Sequence, residues 1–193
     1  MRRIGSRIAA LMSIAALLAM ALAGPASAAQ LIRYEGTTSA SDWNEGHAYV
    51  LKRDSGRRIL HYIAFQVTIT CEDAAAEQWT LIVVMGRRLG DDGEFSRTIN
   101  SAEPSVFIRI DGSFDWGGGN GTAVWNQAKL TADGSDAQLC TTGELTWVMD
   151  RTDAQPARVT NPDIPDGTGL LKVRVKSGVA KIVKLVEPTE MLG

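Results

Sequence analysis

Residues 59–71, ILHYIAFQVTITC, set the tightest limit on the fold. They place Ile59, His61, Ile63, Phe65, Val67, Ile69 and Cys71 on one face, with Tyr62, Gln66, Thr68 and Thr70 on the other. A period of two in a stretch rich in β-branched and aromatic residues is that of a strand with one buried face. Cys71 therefore points inward. His61, on the same face, reads as a core imidazole rather than a catalytic one.

The remaining chain repeats this style in shorter pieces. Residues 30–36 and 46–53 read as strands around a polar loop, and Asp54-Ser55-Gly56 as a turn. Residues 72–77 (EDAAAE) fit a helical turn, and 79–85 (WTLIVVM) form a nearly continuous apolar run suited to a central strand. A charged loop follows at 87–94, with a short edge strand at 95–99. The strand at 106–110 stops at Asp111-Gly112, a hairpin-type dipeptide, and 117–121 (GGGNG) reads as a flexible corner. Residues 122–130 and 138–150 complete the series, the last with Leu145, Trp147 and Met149 on one face. Residues 152–166 carry three prolines and no hydrophobic period, and 170–186 read as two strands about Ser177-Gly178. Short strands between glycine and aspartate turns predict an all-β fold, a single antiparallel β-sandwich.

The first 28 residues predict a different role. Arg2, Arg3 and Arg7 precede an apolar run over 8–23, and Ala26-Ser27-Ala28 has the small-x-small form of a signal-peptidase site. The run is shorter than the roughly 20 residues of a membrane span. The expected division is a signal peptide at 1–28, a β-sandwich core at 29–151, and an irregular connection with a basic β-hairpin at 152–193. Cleavage near Ala28 leaves 165 of the 193 residues, enough for one domain with a core. Because the segment carries three arginines and no acid, its loss takes the net charge from −2 to −5. Such an acidic chain is poorly suited to nucleic acid.

Cys71 and Cys140 are the only cysteines. In an exported protein an even count argues for a disulfide, and two thiols alone are too few for structural zinc. Closing a loop of this length is worth about 4 kcal/mol in the chain-entropy model. Trp147, seven residues after the second cysteine, suits a bridge between two sheets.

At these residues the chain resembles a group of small exported actinobacterial proteins of unassigned function. The resemblance runs over about 34–151. It rests on Tyr34-x-Gly36-x-Thr38, Cys71 at a strand end, Asp111-Gly112-Ser113-Phe114, and Cys140-x-Thr142-Gly143-x-Leu145-x-Trp147. It implies a single-disulfide β-sandwich with a Cys71–Cys140 bridge and implies no activity. The glycines at 117–119, the Trp125 strand and the basic residues after Arg151 are not part of the pattern.

Catalytic signatures are sparse. Only His47 and His61 could act as histidine bases, and neither G-x-S-x-G nor H-E-x-x-H occurs. Carboxylates on glycine-rich turns leave room for a hydrolase, tested through His47 and Asp115, and make Asp111 and Asp115 weak calcium candidates. No cofactor is expected. The loop at 87–94 is the one feature pointing to a protease-inhibitor-like effector. Trp43, Trp116, Trp125 and Asn120 are the candidate ligand-binding residues, since an indole near carboxylates and an amide can stack on a sugar. Lys172, Arg174, Lys176, Lys181 and Lys184 either protect an edge strand or contact an anionic surface. The sequence reading is thus an exported, non-catalytic binding or interaction protein, its ligand a glycan or a protein.

Overall fold

The alternation over 59–71 does make a strand, but its parity changes near the start. In the computed structural model, which describes residues 29–40, 43–72, 74–101, 105–130, 137–152, 168–176 and 179–186, the third strand runs Arg58–Cys71. Ile63, Phe65, Val67, Ile69 and Cys71 enter the main buried cluster as expected. Leu60 joins them, however, and His61 is exposed. The cause is a bulge. Tyr49 and Val50 pair with Tyr62 and Leu60, so His61 has no opposite residue, and on the other flank pairing jumps from Leu60↔Arg87 to Tyr62↔Val84. One extra residue inverts which side chains point inward. His61 is a surface residue, not a core one.

The strands are β1 (Gln30–Thr38), β2 (Glu45–Lys52), β3 (Arg58–Cys71), β4 (Ala74–Arg88), β5 (Glu94–Ser101), β6 (Val106–Phe114), β7 (Gly118–Leu130), β8 (Ala137–Thr152), β9 (Gly169–Lys176) and β10 (Val179–Val186). No helix occurs among the described residues. All ten strands belong to one sheet, in the order β10-β9-β4-β3-β2-β1-β8-β7-β6-β5. The signal segment, the turns at 131–136 and 177–178, and the connection 153–167 fall outside the described residues.

Four local expectations need correction. Residues 74–77 are strand rather than helical turn, because Glu77 pairs with Ile69 in the β3–β4 ladder. Asp111-Gly112 does not end β6, which continues to Phe114. The glycines at 118–121 are likewise strand, and the reversal is confined to Asp115–Gly117. Finally, the pairing is not wholly antiparallel: β9 runs parallel to β4, from Trp79↔Gly169 to Val84↔Arg174. Parallel neighbours cannot be joined by a tight turn, and β4 and β9 are separated in the chain by β5 to β8.

Strand length decides where the disulfide falls. β1 and β2 are short and sit between the long β3 and β8, so beyond them β3 and β8 pair directly, Thr70↔Thr141 and Cys71↔Cys140. The two cysteines are bonded with Cα atoms 4.0 Å apart. The bridge therefore joins neighbouring strands of one sheet, not opposed layers as Trp147 led us to expect.

The main core draws on β1 to β9, with Ala180 and Ile182 of β10 packed against it, and its largest members are aromatic. Trp147 lies against Phe114 at 5.3 Å, Phe95 at 6.1 Å and Phe65 at 6.2 Å between ring centroids. Such a ring needs a seat without side chains, which Gly112 and Gly121 supply. A Cβ at Gly121 would fall on the Asp111 carbonyl oxygen and 2.7 Å from Trp147 Cζ2. A smaller buried cluster, Tyr49, Tyr62, Ala64, Ile82 and Leu170, lies on the other face of β2, β3, β4 and β9. β4 is thus buried on both faces, as its continuous apolar run predicts.

Candidate functional site

Among the described residues, the β6–β7 turn is held by hydrogen bonds from within and from three other strands. Asp115 is followed two and three residues later by glycines, the pattern of a side chain capping its own turn. Its Oδ1 accepts the amides of Gly117 and Gly118, each at 2.7 Å, and its own amide donates to the Gly118 carbonyl at 2.8 Å. Those amide bonds, Gly118 first, hold the Asp115 carboxyl below its ordinary pKa. From outside the turn, Tyr34 Oη donates to the Asp115 carbonyl and Arg58 Nη1 to the Phe114 carbonyl, both at 2.7 Å. The Arg151 amide donates to the Gly117 carbonyl at 2.9 Å. Residues from β1, β3 and β8 thus pin one tight turn.

The turn presents Trp116. Its side chain is 50 % exposed, the most open aromatic among the large hydrophobic residues at the surface. Lys52 Nζ stands 4.3 Å from the ring centroid and the Arg151 guanidinium carbon 5.9 Å, both within cation–π range. Lys52 arrives because it ends β2, and Arg151 because it lies near the end of β8 opposite Tyr34. An indole with two cations over its ring offers positive charge for an anionic substituent and, on the part of the plane they leave open, an apolar surface for the C–H face of a sugar.

Beside the same hairpin an open groove of about 950 Å³ runs between the β4–β5 loop and the outer side of β5, β6 and β7. Arg87, Arg88 and Asp91 line one wall, with Asp111, Ser113 and Asn120 on the other. Ser113 and Asn120 are paired across the ladder two rungs from the turn. Asp111 is engaged by Arg109 at 2.6 Å. Arg58 Nη2 donates to the Asp91 carbonyl at 3.2 Å, so the residue that fixes the Trp116 turn also fixes the groove's loop.

The structure separates the four ligand-binding candidates. Trp116 and the exposed Asn120 share the β6–β7 hairpin. Trp125 is 1 % exposed, packed edge-on to Trp79 at 5.3 Å, and offers no open ring. Trp43 is partly buried in the β1–β2 turn, whereas Lys52, beside Trp116, lies at the far end of that strand pair, roughly 25 Å along the ladder. The calcium candidates also stand apart. Asp111 and Asp115 are four extended residues, about 13 Å, from one another, and each is bonded elsewhere. No group of three or more His, Cys, Asp or Glu able to hold a metal ion occurs among the described residues. His47 lies across from Glu35, with Nδ1 3.8 Å from its carboxylate, while Asp115 is held within its turn.

Sequence reasoning missed Lys52, Tyr34, Arg58 and Arg151 as parts of the site. All four come from strands distant in sequence from Trp116, and only the Asp-x-Gly-Gly turn signal was local. The fold and site together define an all-β, single-sheet protein with an aromatic platform flanked by cations. Compared with protein-family models, curated proteins and solved structures, the chain matches none.

Proposed function

We propose that this is an exported, non-catalytic binding protein of the cell envelope or medium, and that its ligand is a saccharide seated on Trp116. The reading includes cleavage of the signal segment near Ala28, with the buried disulfide suited to an oxidising compartment. It also takes the ten strands to close as a β-sandwich, with β9 and β10 joined as a C-terminal hairpin. Two observations support that closure. One buried cluster draws on β1 to β9 with β10 packed against it, and the edge strands β5 and β10 approach within 8 Å between Cα atoms.

The observation that carries the function is the pairing of exposure with rigidity at Trp116. An exposed aromatic on a loose loop loses conformational entropy when it binds, whereas one on a pinned turn is already in place. Lys52 and Arg151 favour saccharides that carry a carboxylate, sulfate or phosphate. The groove containing Asn120 and Ser113 gives a neighbouring sugar unit hydrogen-bonding partners.

The test is a glycan array with the mature protein, followed by titration calorimetry on the hits with Trp116→Ala and Lys52→Ala. Loss of Trp116 should weaken binding at least tenfold, which is about 1.4 kcal/mol. Loss of Lys52 should weaken acidic saccharides more than neutral ones. An array without hits, or hits whose affinity ignores Trp116→Ala, overturns the proposal.

A further inference from the structure

The outward side of β9 and β10 carries an arrangement that the isolated fold does not need. Leu171, Val173, Val175, Ala180 and Ile182 face the core, which leaves Lys172, Arg174, Lys176, Lys181 and Lys184 on the other side. The register puts like charges face to face: Arg174 is directly opposite Lys181, and Lys172 opposite Lys184. Side chains at such positions stand about 5 Å apart at Cβ, and like charges there are destabilising. The other neighbours of Lys172 and Arg174 are Ile82 and Val84 on β4, so the ladder sets no acid beside them. Among the described residues no carboxylate lies within ion-pair distance of Arg174 or Lys181.

Protection of a sheet edge does not explain the pattern. β10 is the edge strand, and its own lysines would serve that purpose. The cations on β9 lie on a strand paired on both sides. They guard no open edge, and Arg174 stands directly against Lys181.

We propose that this face is a binding surface for a linear anionic polymer of the polyol-phosphate class. The cations do not converge as they would on a compact anion. They run in two parallel rows, with neighbours along β9 about 7 Å apart, a track matched to charges repeated along a chain. No aromatic residue stands among them to stack on nucleic-acid bases, and the chain as a whole is negative. The exposed apolar residue beside them is Val183, with no tryptophan or phenylalanine to enter a bilayer. An anionic polymer without bases, lying along the strands, remains. This surface is independent of the Trp116 platform.

The experiment is fluorescence anisotropy of a labelled poly(glycerol phosphate) oligomer with the mature protein across a salt series. Parallel arms use oligothymidylate of equal charge and phosphatidylglycerol vesicles. Binding should weaken with salt, with a slope of log K against log salt of roughly −3 for four to five contacts. Lys181→Glu should reduce polymer affinity at least tenfold. In the absence of polymer it should raise the melting temperature, since an opposite charge then faces Arg174. Trp116→Ala should leave polymer binding unchanged. The proposal is overturned if Lys181→Glu binds the polymer as the wild type does, if oligothymidylate or vesicles bind as tightly as the polymer, or if no polymer binding occurs at low salt.

Discussion

Tyr34 donates its phenolic hydrogen to the carbonyl oxygen of Asp115 at 2.7 Å, across 81 residues of sequence. The ring itself is buried against Phe114 at 4.8 Å, so the hydroxyl is aimed by core packing. Tyr34→Phe keeps the ring and removes the bond. It should cost about 1 kcal/mol in urea denaturation and speed hydrogen exchange at the Gly117 and Gly118 amides. Unchanged exchange at both would show that the turn holds without Tyr34.

The Asp115 carboxyl titrates below its ordinary value because two amides bond its charged form. A depressed folded pKa means that its stabilising effect is complete above the unfolded value of about 3.9 and is lost as pH falls through the folded value. The stability difference between wild type and Asp115→Ala, measured by thermal melts, should therefore be constant near neutrality and shrink below about pH 4. A gap that widens on acidification contradicts the assignment.

Gly121→Ala should destabilise strongly. The added methyl meets the Asp111 backbone and the Trp147 ring, neither of which can retreat from a paired strand or a filled core. Overpacking of this kind costs about 1–3 kcal/mol or more. Gly56→Ala is the control, since a Cβ there meets nothing within 4 Å and only its φ of 76° is strained. Equal losses at the two sites would refute the seat under Trp147.

Cys71 and Cys140 are almost wholly buried. The bridge should therefore resist reductant until denaturant is added, as followed by alkylation and mass spectrometry. The Cys71→Ala, Cys140→Ala double variant should lose about 2–5 kcal/mol. Rapid reduction of the native protein would count against the burial.

Much of the fold was legible because two-residue periodicity is local. Ile63 to Cys71, the Leu145/Trp147/Met149 face and the Leu171/Val173 face could be assigned from side-chain type alone, and all are buried. What failed depended on partners elsewhere. His61 changed sides because β2 and β4 skip it, which no property of 59–71 encodes. The 117–121 stretch looked like a corner because Gly118 makes room for the Met149 carbonyl of β8, Gly119 for the Phe114 ring, and Gly121 for the Asp111 carbonyl and the Trp147 ring. At the site, Asp115 and Trp116 carried a local turn signal, while Lys52 and Arg151 reach the indole only through the pairing of β1 with β2 and β8.

The parallel pairing of β4 with β9 sets a long separation in the chain between two neighbours. β3, the antiparallel partner of β4, directly precedes it, whereas β9, the partner of its other edge, is the fifth strand after it. That edge carries Thr80, Ile82 and Val84, apolar but for the threonine and without a charged gatekeeper. Topologies that depend on such distant pairings fold slowly, on a scale of milliseconds to seconds. During that interval the exposed ladder is the place where one copy can add a strand from another. Variants shortened before residue 169 should accordingly fail by self-association rather than by simple loss of a surface, whatever becomes of the Trp116 turn.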